Sequence, residues 1–599
     1  MAEELKKRSE VAKEDTWATE DLYENDELWQ ADFKKAQEFI PLAEKYRGHL
    51  GETAEMLYGY FKQNDEMDVL LDRLASYAAR KHDEDTTNPV YQAMYAQLMS
   101  YYNRLGAAYA YVVPELVDIP EETYQKFYEQ EPGLKLYERA IARTLARKPH
   151  TRSAAEEKIL ADAREMANLA SDAYSVMNNA DLKFPVVPDG EGGKVRLTHG
   201  NFIHLVENKD REVRRKAFEE FYSVYDQFKN TCASLLYGQV KQQMFYARQH
   251  SYASTMESAL FRNEIPVEVY KNLIQTVHDN MGQMYRYVAL RKKLLKLDEL
   301  HMYDIYTPIV GGVDKKISFD EAKKMVYEGL APLGDEYRSH IKEGFEDRWI
   351  DVYENAGKRS GAYSAGARVH PYVLLNYSGN LDSVFTLAHE MGHALHSWYS
   401  NHNQPVAYAD YKIFVAEVAS TCNEALLMQD LLRKTTDKKE RAYLLNHALE
   451  GFRTTLFRQT MFAEFEMMIN EMAERGEALT AEVLNAKYHE LVALYFGNDM
   501  VIDPQIDLEW SRIPHFYYNF YVYQYATGYS AAIALSEKIL SEGAGAVKDY
   551  IRFLSGGSST DPISLLKIAG VDMSTPKPID AALKVFAGYI DEMERLMEE

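Results

Sequence analysis

LDSVFTLAHEMGHALHSWY, from Leu381 to Tyr399, follows Ser378-Gly379-Asn380 and sets Val384, Phe385, Ala388 and Leu395 at helical spacing. Asp382 or Ser383 is expected to cap the N-terminus of this helix, because either side chain can accept a first-turn N–H. Inside it stands His389-Glu390-Met391-Gly392-His393. Residues four apart lie about 40° apart around a helix axis, so both imidazoles can reach one ion from one face. Glu390 is one step round, placed to touch a water on that ion rather than the ion. With 17 histidines in 599 residues, chance would produce the pattern in under about one such chain in ten.

A hydrolytic zinc site needs a third protein ligand and one open position. A third His at the H-E-x-x-H-x-x-G-x-x-H spacing would require Gly at 396 and His at 399, where the chain has His396 and Tyr399. A Glu about twenty residues after His393 is missing as well, since Lys412 and Ile413 stand there. The apolar helical run from Phe414 to Glu424 instead carries two carboxylates, Glu417 and Glu424, two turns apart on one face. Burying both requires compensation. Glu417 is the candidate third ligand, and Glu424 the candidate acceptor for an imidazole N–H. His396 and His402 are read as packed or hydrogen-bonded residues outside the ligand set.

Further on, PHFYYNFYVYQYATGYS from Pro514 to Ser530 gathers His515 with Tyr517, Tyr518, Tyr521, Tyr523, Tyr525 and Tyr529. Attack on a peptide carbonyl builds negative charge on its oxygen, and a phenol or imidazole N–H aimed there stabilises it. Most of these rings are expected to pack a helix, with two or three serving chemistry.

Around these stretches the chain is mainly helical. Apolar periodicity fills residues about 53 to 80, 210 to 250 and 438 to 475, among others, and Ser153-Ala154-Ala155-Glu156 opens a helix with a capping box. That helix is expected to reach about residue 178, with Ile159, Ala163, Met166 and Ala170 at 3.6-type spacing. A β-hairpin is expected around Pro188 to Gly193, and a small sheet from Arg348 to Tyr377, just before the motif. The hairpin marks a seam between an N-terminal helical region, residues 1–200, and a catalytic region, residues 201–599.

Composition narrows the classes. With 68 Lys+Arg against 92 Asp+Glu, the net charge of −24 repels phosphate backbones and anionic lipid, which excludes nucleic acid as an expected partner. Cys232 and Cys422 are too few for a disulfide framework and read as reduced, packed thiols. No run approaches the roughly 18 apolar residues of a membrane span, and the charged first residues lack a signal-peptide core, so cytosol is the expected compartment and no membrane partner is expected.

His389 to His396, Phe414 to Glu417 and His515 to Gly528 together resemble oligoendopeptidase F, a bacterial branch of the thimet oligopeptidase family. The likeness extends to Asp15-Thr16-Trp17, Gly361-Ala362-Tyr363-Ser364 and Leu554 to Ser559. It implies a mostly helical, two-lobed enzyme whose deep channel encloses one zinc ion per chain and admits short unstructured peptides. It also implies Glu417 as third ligand. By motif position it assigns substrate and oxyanion contacts to His515 and Tyr523, with Tyr518 as a further substrate contact. Tyr521 remains an alternative, because the spacing from His515 is shorter than in the thimet-like branch. The strand from Tyr372 to Tyr377 resembles the element that pairs with peptide backbone in that family. An exopeptidase on the same scaffold and a non-catalytic peptide-binding protein are the competing classes. Sequence leaves the oligomeric state open.

Overall fold

The computed structural model describes residues 5–311 and 316–598. It is predominantly helical with only small sheets. Nine helices carry the argument: α1 (Ala54–Glu84), α2 (Ala154–Ala167), α3 (Leu169–Val176), α4 (Arg211–Gln249), α5 (Gly334–Glu346), α6 (Leu381–Asn403), α7 (Ile413–Lys434), α8 (Arg458–Glu474) and α9 (Tyr523–Glu542). The strands are β1 (Val186–Pro188), β2 (Lys194–Arg196), β3 (Leu300–His301), β4 (Ile350–Asp351), β5 (Tyr363–Ala365), β6 (Tyr372–Leu374) and β7 (Met500–Val501). The chain folds into two compact units, each built from three sequence segments. Met1–Thr151, Asp314–Asp430 and Leu535–Val571 form the first, and Arg152–Val313, Leu431–Ala534 and Asp572–Glu599 form the second.

In the first unit an aromatic core of Trp17, Trp29, Phe33, Tyr77 and Tyr101 gathers around α1 and reaches Tyr372 and Leu374 of β6. Trp17 meets Tyr372 edge-on at 6.0 Å between ring centroids, the geometry the ring quadrupoles favour. The expected sheet forms in the order β4-β6-β5, with β4 parallel and β5 antiparallel to β6. Its strands β5 and β6 pack on α6. β6 is therefore the central strand, paired on both sides at Val373 and Leu374, and a peptide cannot add to it there. β5 offers an open edge instead.

The second unit is organised on the 39-residue helix α4, capped by Asp210, whose carboxylate accepts the Glu212 N–H. Val213, Ala217, Phe218, Phe221 and Tyr225 line its buried face at helical spacing. The hairpin β1–β2 forms, Val187 opposite Val195. The capping box at Ser153 forms too, with Ser153 N–H donating to Glu156 at 3.0 Å. The helix it opens stops at Ala167, however, resumes at Leu169 and gives way to a π-turn over Met177–Asp181. Ile159 and Met166 are 67% and 75% exposed, while Leu160 is buried. On α2 the packed side turns toward Leu160, away from the largest apolar groups, and on α3 Ala170 faces α4, its methyl 3.5 Å from where a Cβ on Gly238 would stand.

Both cysteines are buried free thiols. Among the described residues no helix is long and apolar enough to cross a membrane.

Candidate metal centre

Asn380, rather than Asp382 or Ser383, caps α6: its side-chain oxygen accepts the Ser383 N–H at 2.9 Å. The Ser383 hydroxyl donates to the same oxygen, so the expected cap serves as a partner of the true one. Val384, Phe385, Ala388 and Leu395 are buried as their spacing predicts, which fixes the rotation of the helix and turns His389 and His393 toward α7.

The two helices meet at Gly392. A Cβ there would lie 2.6 Å from Ser420 Cα and 2.7 Å from the Ala419 carbonyl oxygen, so only glycine permits this approach of backbone to backbone. Asn423 ties the crossing: its amide donates to the Ala388 carbonyl at 3.1 Å and its oxygen accepts from Tyr337 of α5 at 2.9 Å. The result sets Glu417 Oε2 3.4 Å from His389 Nε2 and 3.5 Å from His393 Nε2. One ligand atom from each of the three lies within 4.8 Å of the others. Tetrahedral zinc with bonds of about 2.0–2.1 Å needs donors roughly 3.3 Å apart, and the two separations from Glu417 Oε2 are close to that.

Glu424 lies behind His389, whose Nδ1 N–H donates to Glu424 Oε1 at 2.5 Å. That bond leaves Nε2 facing Glu417 and fixes the ring. Burial disfavours charge on His389, but Glu424 and Glu417 outweigh it and raise its pKa well above the ordinary value. Glu417 is half-buried, which alone would raise its pKa, yet hydrogen bonds from both imidazoles hold its carboxyl far below the usual range. Glu390 behaves oppositely. Burial raises its pKa, and its Oε2 has no hydrogen-bond partner among the described residues. His396 is fully buried and stacked on Tyr411 at 3.7 Å, and burial pushes its pKa down to about 3. His402 bonds the Trp398 carbonyl on its own helix.

In the second unit, Pro514–Tyr517 forms a short 3-10 turn, Asn519 and Phe520 take left-handed backbone at φ of 60° and 55°, and α9 begins at Tyr523. The half-buried His515 ring has Tyr518, Tyr521 and Tyr525 around it at 5.4, 6.2 and 6.1 Å between centroids. Burial lowers the His515 pKa, so the ring is a neutral donor at neutral pH. Tyr518 is 55% exposed, whereas Tyr523 is 0% exposed with its ring 4.9 Å from Tyr270. Tyr517 stacks on Tyr174 at 4.3 Å. Tyr517 and Tyr523 thus point into the unit, and Tyr518, Tyr521 and Tyr525 surround the histidine.

The sequence pattern of peptidase family M3 matches residues 204–585, and that of oligopeptidase F matches residues 115–184. Oligopeptidase PepF of Bacillus subtilis is 51% identical over 597 residues, covering 100% of this chain and 89% of its own. The chain belongs to peptidase family M3. Within it, it is a metallopeptidase of the oligopeptidase F branch. Group B oligopeptidase PepB of Streptococcus agalactiae is 42% identical over 98% of each chain. The crystal structure of oligoendopeptidase-F from Enterococcus faecium is 37% identical, covers 96% of this chain and 99% of its own, and superposes with a TM-score of 0.76.

In this family member, helical spacing picked out His389, His393 and Glu417, which the structure brings together. It passed over Gly392 and Asn423, which contribute no ligand atom but set the crossing of α6 and α7. The one signal for Gly392 was a helix-breaking residue inside an otherwise strong helix.

Proposed function

We propose that this chain is a zinc-dependent endopeptidase that hydrolyses internal bonds of short, unstructured oligopeptides in the cytosol. The observation that supports it most is the meeting of two imidazole nitrogens and the Glu417 carboxylate within 4.8 Å of one another, beside Glu390, whose Oε2 has no hydrogen-bond partner among the described residues. His389, His393 and Glu417 would hold the ion. Zinc bound there would polarise the scissile carbonyl and bring the pKa of a water down toward about 7.

Glu390 takes the proton of the attacking water and delivers it to the departing amine nitrogen. Its buried surroundings suit both halves of that task, because they bring a carboxyl closer to neutrality than an exposed one. Glu424 keeps the His389 tautomer that offers Nε2. His515 and a tyrosine donate to the substrate oxyanion, on the strength of their chemistry and the family likeness. Exposure favours Tyr521, Tyr518 or Tyr525 for this role over Tyr523. The match of the family M3 pattern from residue 204 supports reading residues 201–599 as the catalytic region and 1–200 as the N-terminal one.

Mass spectrometry of an end-blocked short peptide incubated with the purified protein tests the reading. Internal cleavage that stops with o-phenanthroline and returns with added zinc is expected. Cleavage confined to peptides with free ends would replace it with an exopeptidase, and stoichiometric binding without product with a peptide-binding protein.

A further inference from the structure

Between His515 and Tyr521 the backbone takes the left-handed conformation twice in succession, at Asn519 and Phe520. Asparagine tolerates that region, but for a bulky side chain such as phenylalanine it is an outlier that persists only where the surroundings over-determine it. The surroundings here are specific. The Phe520 N–H donates to Glu466 Oε1 of α8 at 2.6 Å, and Glu466 is 1% exposed. The buried Phe520 ring meets Tyr270 edge-on at 5.6 Å. On the other flank of the turn, the Gln239 amide donates to the Tyr517 carbonyl at 3.0 Å.

A buried glutamate on an apolar helix face is costly unless it serves a partner. Glu466 Oε2 has no hydrogen-bond partner among the described residues, and the Phe520 N–H is the bond that Oε1 makes. We propose that Glu466 is a positioning residue for peptide hydrolysis: by holding the Phe520 N–H it fixes the left-handed turn that sets His515 and Tyr521 beside each other. This rests on the reading of His515 and the tyrosines as donors to substrate. Glu466 acts as a hydrogen-bond acceptor and not as an ion, since burial pushes its pKa up to about 8 and leaves it mostly neutral at pH 7. Glutamine copies a neutral carboxylic acid closely, with an acceptor oxygen and an N–H donor in place of the O–H.

The test measures kcat and KM on an end-blocked, internally quenched peptide, with metal content and melting temperature, for the full chain and for Glu466→Gln, Glu466→Leu, Glu466→Asp, His515→Ala and Tyr521→Phe. Glu466→Leu should lose on the order of 10²-fold in kcat/KM through a misplaced donor pair, with metal content unchanged, and Glu466→Gln should stay within about threefold of the parent because it keeps the acceptor. Should the Leu variant not fold, Glu466→Asp carries the same expected loss, because its carboxyl is withdrawn by one methylene. Parental kinetics in the Leu and Asp variants beside an impaired His515→Ala would overturn the positioning role. So would a Gln variant as impaired as the Leu variant. Parental kinetics in both His515→Ala and Tyr521→Phe would instead bring down the donor reading, and this proposal with it.

Discussion

The crossing of α6 and α7 and the stretch from His515 to Tyr529 both gather polar side chains, by opposite means. At the crossing, regular helices do the work: the candidate ligands His389 and His393 sit four positions apart, Glu417 and the imidazole acceptor Glu424 sit seven apart, and one glycine lets the helix backbones touch. In the tyrosine stretch a short turn, two left-handed residues and a helix start decide which rings face outward. A fixed period makes the first arrangement readable from residue spacing. The second includes a hydrogen bond that the Phe520 N–H donates to Glu466, some fifty positions away in sequence.

The largest effect is expected where the period places ligands. His393→Ala and Glu417→Ala should each lower zinc content from one per chain to near zero and abolish turnover, measured by metal analysis and peptide cleavage. A zinc-replete, active Glu417→Ala protein would move the third ligand elsewhere. In the tyrosine stretch, a phenylalanine at the true oxyanion donor should cost on the order of 10²–10³ in kcat. Exposure predicts that loss at Tyr521, Tyr518 or Tyr525, and a smaller one at the buried Tyr523. A loss confined to Tyr523→Phe would restore the assignment by motif position.

Glu424→Ala should weaken zinc binding about 10- to 100-fold, as for loss of a carboxylate behind a ligating imidazole, read by competition with a chelating dye. Gly392→Ala, which removes no polar group, should leave the chemistry's side chains in place but cost about 1–3 kcal/mol of stability, because the new methyl meets backbone that cannot swing aside. A melting temperature unchanged from the parent would show that the crossing yields more easily than its contacts suggest.

Much of this was legible in the sequence. The helical class, the hairpin β1–β2 and the sheet before the motif follow from period, turn residues and β-branched runs. The pairing of β3 with β7 left no trace, because two-residue strands two hundred positions apart carry no period. Asn380 was missed as the cap because the apolar pattern starts three residues later than the backbone turns. Ile159 and Met166 misled for a different reason: periodicity gives the spacing of a face, and tertiary packing left these two exposed while burying Leu160 and bringing Ala170 up to Gly238. Glu466 could not be singled out among the 92 acidic residues, since its meaning lies in the backbone of another segment.

The most direct test of the central claim is Glu390→Gln, assayed for zinc content and for cleavage of an end-blocked peptide in the same preparation. The variant should hold one zinc per chain and fall by about 10³-fold or more in kcat, as removal of a general base requires. Parental turnover in the zinc-replete variant would contradict it, because Glu390 would then move no proton.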